Sequence, residues 1–436
     1  MSIKGVYPKT TRMRRKAALL IALWVISSTL WMAKGQTDTL TLDSCYFLAR
    51  ENYPLLKQRA LIDQSAGYSI ENASKRNLPQ VSLFGQATYQ SDVPHIPVDL
   101  PGAPIPLIPK DQYKLYGEIT QVIYDGGSTG LQKEGSKTEA MVRQQGLEVE
   151  LYKLKERINQ LYFGILLINE QLMQTALYRK DITLGLDKTK AAIENGIALR
   201  SAADVLQVEL LKSQQRITEL EALRSAYTEM LGLMINKPLD NRTFLMIPEP
   251  IPEDPEIRRP EIALFEYQRQ SLGLQYDLLS VKNRPKINLF LQGGLGRPGL
   301  NIFDDQLAGF YYGGVRLYWP LAGFYDDRNE KALIELQRQE INVQQETFLF
   351  NTQLRVRQEN KEIRKLEELL MTDDEIVALR SSIKQTAVHQ LDNGVITSND
   401  YLREVNAEDQ ARQSRILHEI QWRLAQYTLR TTTGNL

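Results

Sequence analysis

The chain has 436 residues, of which 42% are hydrophobic and 24% are charged, a globular composition with room for one large domain or two ordinary ones. Its formal net charge is zero, but seven of the 53 basic residues and none of the 53 acidic residues lie in residues 1–35. The remainder therefore carries a net charge of −7, which argues against a nucleic-acid ligand.

The first 35 residues are typical of an export signal. A basic flank at residues 14–16 precedes an apolar stretch at residues 17–32 and a small-x-small cleavage pattern at residues 33–35. This apolar stretch is shorter than the roughly 20 residues that cross a bilayer, which disfavours the alternative of a membrane anchor. Translation starts at Met1 or at Met13. No later stretch is apolar enough to span a membrane as a helix, so a membrane location would require strands.

The second half of the chain repeats the first. The stretch that begins at Glu51 matches the stretch that begins at Arg258, with prolines at corresponding places. We interpret this as a tandem duplication rather than a solenoid, because the period is far longer than a solenoid unit. The predicted parts are a first repeat over residues 36–246, a Pro-rich linker over residues 247–260 and a second repeat over residues 261–436.

Each half is predicted to contain the same elements in the same order. A moderate helix leads to two strands, a very long helix, an Asn-Gly break and a last helix. In the first half these elements are a helix at residues 44–74, strands at about 80–90 and 113–124, a helix at 129–194, a break near 195–204 and a helix at 202–234. In the second half they are a helix at residues 261–281, strands at about 286–296 and 309–319, a helix at 326–391, a break near 393–400 and a helix at 400–428.

The predicted strands alternate between apolar and polar residues. In the first strand one face carries Val81, Leu83, Ala87 and Tyr89, and the other carries Ser82, Gln86 and Thr88, with Phe84 as the exception. The strand near residue 290 repeats this pattern. Each run has roughly the ten residues of a tilted membrane strand.

The long helices carry a heptad seam. Leucine and isoleucine residues alternate steps of four and three from Leu147 to Leu172, as in a coiled coil. A soluble dimeric coiled coil is the alternative, but it would contain no strands, so the alternating segments disfavour it.

Four strands per chain cannot close a barrel in a membrane, because lipid does not hydrogen-bond exposed strand edges. The barrel must then be shared between chains. Two chains would give eight strands, whose interior is filled by side chains, and three would give twelve, enough for an open lumen. Conduction of bulky cargo favours a trimer.

The chain resembles the TolC family of outer-membrane efflux proteins over essentially its whole mature length. The resemblance lies in residues 40–56, in RNLPQVSLFGQATY (residues 76–89), in QVIYDGGSTG (residues 121–130), and in the closing LRTTTGNL (residues 429–436). It also lies in the two Asn-Gly breaks, each of which is followed by Asp-x-Leu. The resemblance rests on the order and duplication of these motifs rather than on any single motif.

The resemblance implies an α+β membrane protein. Its fold would be a trimeric 12-stranded β-barrel in the outer membrane, four strands per chain, continued by a long α-helical coiled-coil barrel in the periplasm. The breaks would be turns at the periplasmic tips, where glycine supplies a positive φ. The expected partners are two further copies of the chain, a periplasmic adaptor, an inner-membrane pump and outer-membrane lipid.

The expected function is a passive exit duct of a tripartite efflux pump or a type I secretion system, opened at its tips by an adaptor. The alternative is a soluble periplasmic coiled-coil scaffold or adaptor. Adaptor contacts are expected at Gly196, Leu199, Arg200, Ser201, Asp204, Gly394, Thr397 and Ser398, and a channel gate at Asp400, Arg403 and Glu404.

The two aspartates after the breaks also fit a simpler role. Each opens a predicted helix, and aspartate is a common helix N-cap. We expect capping rather than gating for Asp204, and both roles remain open for Asp400. Three copies of Asp400 would form an anionic ring, although Arg403 follows it closely.

No enzyme is predicted. The histidines are His95, His389 and His418, and they lack the spacing of a metal site. The glycine clusters near residues 126 and 294 lie at strand ends and lack the lysine of a phosphate loop. We therefore expect no active site, metal or cofactor.

Overall fold

The computed structural model describes residue 2 and residues 39–94, 108–240, 243–250 and 256–435. The predicted export signal, with its alternative starts, therefore lies outside the described residues apart from residue 2. His95 and residues 251–255 of the predicted linker also lie outside them.

The described chain is mostly helical, with six strands. The helices are α1 (Leu42–Asn52), α2 (Gln58–Lys75), α3 (Ser128–Tyr152), α4 (Leu154–Glu194), α5 (Arg200–Ile235), α6 (Pro260–Lys282), α7 (Asp327–Asp392) and α8 (Ser398–Thr433). The strands are β1 (Thr39–Leu40), β2 (Gln80–Tyr89), β3 (Asp111–Tyr124), β4 (Phe244–Leu245), β5 (Lys286–Arg297) and β6 (Ala308–Tyr318). Short 3₁₀ turns occupy Pro54–Lys57 and Leu321–Phe324.

The long helix predicted over residues 129–194 is two helices, which is a correction to the sequence analysis. Lys153 separates α3 from α4 and has φ −62° and ψ −21°, values typical of a 3₁₀ turn. The break falls at a residue that is neither glycine nor proline, so the sequence carries no sign of it.

The chain divides into two compact units that each draw on both halves of the sequence. The helical unit comprises Met1–Tyr53, Leu154–Glu253 and Gln358–Thr431. The sheet unit comprises Pro54–Lys153, Asp254–Arg357 and Thr432–Leu436. The two predicted repeats therefore do not correspond one to one with the two units, and the tandem duplication with its linker stays a prediction.

The sheet unit contains a four-stranded antiparallel sheet in the order β2-β3-β5-β6. Each sequence half supplies one hairpin, and β3 pairs with β5 to join the two. In one row across the sheet Val81 lies opposite Ile119, which lies opposite Leu291. Among the described residues β2 and β6 pair on one side only, so the sheet has two edges.

One face of this sheet is apolar and exposed. Val81 and Leu83, which the predicted alternation puts on one face, share it with Tyr311, and these side chains are 74%, 76% and 79% exposed. We call this set the apolar face: Val81, Leu83, Tyr89, Tyr113, Leu115, Ile119, Leu289, Leu291, Leu295, Tyr311, Val315 and Leu317. A sheet that faced water would expose polar residues here instead.

The predicted heptad seam is buried. Leu147, Ile158 and Ile165 are at most 5% exposed, and only Leu172 at the end of the seam is half-buried. Cys45 is fully buried as a small core residue. No helix within the described ranges combines the length and the apolar character needed to cross a membrane.

A buried tyrosine holds the first described strand in the helical unit. β1 pairs in parallel with β4. The hydroxyl of the fully buried Tyr162 lies 2.8 Å from the carbonyl oxygen of Leu40 and 2.6 Å from that of Met246. Its proton therefore links the end of β1 to the residue that follows β4.

Tyr162→Phe should destabilise the protein by about 1–3 kcal/mol, because the carbonyl oxygens of Leu40 and Met246 lose the donor that they share. Thermal unfolding of the purified protein measures the effect. Tyr68→Phe is the matched control, since Tyr68 is 66% exposed and should be neutral. Equal unfolding temperatures for the two variants would contradict the role of this hydroxyl.

Candidate functional site: the two helix tips and the charged network behind them

The Asn-Gly breaks form two turns with the same hydrogen bonds. The first joins α4 to α5 and the second joins α7 to α8. In each turn the glycine N–H reaches back three residues and the next N–H reaches back five, which is the Schellman arrangement at a helix end. The bonds are Gly196 N to Ile193 O at 2.9 Å, Ile197 N to Ala192 O at 2.8 Å, Gly394 N to Leu391 O at 3.1 Å and Val395 N to Gln390 O at 2.8 Å.

Glycine is required at both turns for its backbone conformation. Gly196 has φ +74° and Gly394 has φ +68°, in the left-handed region that L side chains avoid. No atom lies within 4 Å of the position a Cβ would take at either glycine, so the requirement comes from φ and not from crowding. The preceding asparagines each donate to the carbonyl oxygen four residues earlier, Asn195 at 2.9 Å and Asn393 at 2.8 Å.

The residues around the turns are exposed, and several are apolar. Leu199, Arg200 and Ser201 of the predicted contact set are exposed, and the side chain of Leu199 is 77% exposed. Ile197 and Val395 are also exposed, at 73% and 69%, and the sequence analysis missed them. Their shared place, directly after each glycine, is the signal that could have found them.

Asp204 is not a helix cap, contrary to expectation. α5 begins at Arg200, and Leu199 occupies the N-cap position without a side-chain hydrogen bond. The helix thus starts two residues earlier than the predicted start at residue 202. Asp204 consequently lies inside the helix with an exposed side chain.

Asp400 caps α8. Its Oδ2 accepts from the backbone N–H of Thr397 at 3.2 Å and from the Thr397 hydroxyl at 2.7 Å. The Asp400 N–H donates to the Thr397 hydroxyl oxygen at 3.2 Å, completing a reciprocal capping box. The hydrogen bonds from Thr397, with a smaller contribution from nearby Arg403, lower the pKa of Asp400, so it is ionised at neutral pH.

Ser398 of the predicted contact set is buried. Its hydroxyl lies 2.8 Å from that of Thr189 on α4. It therefore ties α8 to α4 and presents no surface to a partner.

The predicted gate residues carry balanced charge within one chain. Arg403 is largely exposed and lies 3.8 Å from Asp400 and 3.1 Å from Glu404. Arg380 of α7 also reaches Glu404, at 3.4 Å. The two carboxylates are thus matched by two guanidinium groups, so the anionic character expected of an Asp400 ring is weakened.

A charged network that the sequence analysis missed joins three helices behind the tips. We call it the Lys384 network. Lys384 of α7 donates to Asp181 of α4 at 2.8 Å and to Glu408 of α8 at 3.1 Å. Glu408, which is 2% exposed, also accepts from Arg412 at 2.5 Å and from Ser381 at 2.9 Å. Two cations and two anions meet around the buried carboxylate of Glu408, so the network is neutral.

The network shifts the pKa values of its central pair in opposite directions. Burial alone would raise the pKa of Glu408, but hydrogen bonds from Arg412, Lys384 and Ser381 outweigh it and lower the pKa. Burial alone would lower the pKa of Lys384, but hydrogen bonds to Asp181 and Glu408 outweigh it and raise the pKa. Both groups are therefore charged at neutral pH, and their pairing stabilises the contact of α4, α7 and α8.

Apolar packing surrounds Tyr401 beside this network. Tyr401 of α8 is 1% exposed within a cluster that includes Ile182, Leu186 and Leu206. Its hydroxyl donates to the carbonyl oxygen of Asp181 at 2.9 Å. The ring lies against Gly185 of α4, where a Cβ would overlap it.

The fold is similar to those of solved outer-membrane channel proteins. VceC of Vibrio cholerae matches 90% of this chain and 96% of its own, with a TM-score of 0.64 at 12% identity. CusC, described in terms of folding and transmembrane channel formation, matches 91% of this chain and 93% of its own, with a TM-score of 0.69 at 12% identity. The open state of the MtrE outer membrane channel of Neisseria gonorrhoeae matches 90% and 88%, with a TM-score of 0.63 at 14% identity.

These likenesses concern the fold, because the sequences share few identities. No protein-family model and no curated protein sequence matches the chain. The resemblance to the TolC family is thereby confirmed at the level of the fold.

Gly185→Ala should destabilise the protein by about 1–3 kcal/mol, because the added methyl group displaces the buried ring of Tyr401. Gly67→Ala is the control, since Gly67 lies in α2 with open space around it. That change should be neutral or stabilising, by up to about 1 kcal/mol. Thermal unfolding distinguishes the two, and a stable Gly185→Ala protein would contradict this packing.

Acid should weaken the Lys384 network. The lowered pKa of Glu408 means that its stabilisation is complete above its ordinary value of 4.5 and is lost as the pH falls through the lower folded value. Glu408→Gln should therefore lower the unfolding temperature at about pH 7, and the difference from wild type should shrink towards about pH 3. Glu362→Gln, in an exposed pair with Lys365, should change little. A difference independent of pH would exclude this role for Glu408.

Proposed function

We propose that this chain, which has the fold of outer-membrane channel proteins, is a passive exit duct in the outer membrane. Three copies form the duct, and the helical unit lies in the periplasm. An inner-membrane pump supplies the energy, in a tripartite efflux pump or a type I secretion system, and a periplasmic adaptor opens the tips.

The sheet with an exposed apolar face and two edges is the observation that carries this proposal. Lipid would cover the apolar face, but it cannot hydrogen-bond the backbone groups at the edges of β2 and β6. When each of these edges pairs with an edge of a neighbouring copy, no strand edge is left without a partner. Three chains give twelve strands, enough for an open lumen, whereas eight strands leave an interior filled by side chains.

The tips supply the surface for an adaptor. Exposed apolar side chains that lie close together mark surfaces for protein contacts. Ile197, Leu199 and Val395 are three such side chains beside the two turns. Gly196, Arg200, Ser201, Gly394 and Thr397 remain proposed contacts, whereas the buried Ser398 does not. Asp204 is exposed one turn into α5 and extends the same surface.

Opening would require the contacts behind the tips to change. The Lys384 network and the Ser398–Thr189 hydrogen bond hold α4 against α7 and α8. An adaptor that binds the separated arrangement more tightly would shift the balance towards the open duct. Asp400, Arg403 and Glu404 are proposed to line the gate, with little preference for cations because their charges are matched.

A soluble periplasmic scaffold is the competing function. It would share the long helices and the exposed tips. It does not account for a sheet that exposes Val81, Leu83, Tyr311 and their neighbours to solvent.

The purified protein should be a trimer in detergent and should form conducting channels in a planar bilayer. The chain should fractionate with the outer membrane. Release by osmotic shock as a soluble protein, with no bilayer conductance, would support the scaffold instead.

A photo-crosslinker at Leu199 or Val395 should capture a periplasmic adaptor. The same group at Met371, which is 75% exposed on α7 away from the turns, is the control. Conjugates to the adaptor should form from the tip positions at least about tenfold more than from Met371, in line with a local contact surface. Equal capture at all three positions would reject the tips as the docking surface.

A further inference from the structure

Five aromatic rings form a continuous row on the face of the sheet opposite the apolar face. Phe84 stacks on Tyr116 with ring centroids 5.2 Å apart, and Tyr116 approaches Phe310 at 6.3 Å. Phe310 stacks on Tyr312 at 6.4 Å, and Tyr312 meets the edge of Phe290 at 5.9 Å. We call this set the aromatic row. It crosses all four strands, and it explains why Phe84 departs from the alternation of β2.

A glycine makes the continuous row possible. Phe84, Tyr116, Gly294 and Phe310 occupy one row of the sheet register, on β2, β3, β5 and β6. A Cβ at Gly294 would overlap the backbone and side chain of Tyr116. The absence of a side chain there lets the rings of Tyr116 and Phe310 approach each other over β5.

The charge accessible beside the row is positive. Lys114 lies in the next register row on the same face of the sheet, opposite Gln86, and is exposed. On the other side the guanidinium of Arg316 lies 4.6 Å from the ring centroid of Phe290, with the side chain 47% exposed. Among the described strand residues, Glu118 is the one carboxylate on this face of the sheet. Its side chain is enclosed and only 12% exposed.

Hydrogen bonds already occupy the oxygens of Glu118. It accepts from Gln292, from Thr120 at 3.0 Å, and from Arg316 at 3.4 Å and 3.5 Å. Arg316 is thus paired with Glu118 only at long distances, and its side chain stays 47% exposed. A ligand that reaches the aromatic row meets ring faces bordered by two exposed cations.

We propose that the aromatic row is a binding site for planar aromatic anions, such as aromatic carboxylates. The ligand ring stacks on the exposed part of Phe84 or on that of Tyr312, each 43% exposed, and its anionic group pairs with Lys114 in the first case or with Arg316 in the second. This rests on the proposed function in one respect, that this face lines the lumen of the duct. The row then gives the duct a preferred class of cargo.

Binding of 2-naphthoate to the detergent-purified trimer tests the site. The two comparison probes are 2-naphthylmethylammonium, which has the same ring with a positive charge, and cyclohexanecarboxylate, which has the charge without an aromatic ring. Naphthoate should bind at least about tenfold more tightly than either, because stacking and charge act together. Saturation-transfer NMR and calorimetric titration measure this. Equal affinity for all three probes would overturn the proposal without any variant.

Two neighbouring positions on β6 give a matched pair of variants. Phe310→Leu removes a ring from the aromatic row and keeps an apolar side chain. Tyr311→Leu removes a ring from the apolar face of the same strand. Naphthoate affinity should fall about tenfold in the first and be unchanged in the second. An unchanged affinity in Phe310→Leu, or an equal loss in both variants, would overturn the proposal.

The same preparations separate this proposal from the proposed function. Conductance in a bilayer without naphthoate binding would leave the duct and reject the site. Naphthoate binding that depends on Phe310, in protein that never conducts, would leave the site and reject the duct.

Discussion

Strand edges impose the central constraint on this molecule. β2 and β6 each have a partner on one side, and the backbone N–H and C=O groups of their other sides need partners that lipid cannot provide. A sheet in water can leave such groups to the solvent, but this sheet also exposes a broad apolar face. In the proposed duct, copies of the chain satisfy both features together by pairing their edges, and the single chain would then be one part of the functional fold.

Much of this architecture follows from periodicity. Alternation with a period of two identified all four strands of the sheet, and a heptad seam identified the buried stripe of the long helices. Periodicity reports which residues share a face, however, and not which faces meet. The partners of Lys384 lie 203 residues earlier and 24 residues later, so no local pattern could connect them.

The features that the sequence analysis missed or misjudged share one cause, which is that the local sequence does not determine them. Lys153 interrupts a helix with ordinary backbone angles and no glycine or proline, so nothing in its type marks it. Asp204 resembled a cap because aspartate often is one, yet the turn before it is short enough for Leu199 to take that position. Phe84 looked like an error in the alternation of β2, and its reason lies in rings contributed by two other strands. At each of these places the tertiary structure decided between options that the local sequence allows.

The two turns also differ from the rest of the molecule in what holds them. Their hydrogen bonds run between backbone groups, and each glycine has open space around it. The exposed side chains beside the glycines, those of Ile197, Leu199 and Val395, can therefore be exchanged in evolution, or by an engineer, at little cost in folding. Thr397 and Ser398 are constrained instead, by the cap of α8 and by the hydrogen bond to Thr189. One fold could in this way be adapted to different partner proteins by substitutions at a few positions in its turns.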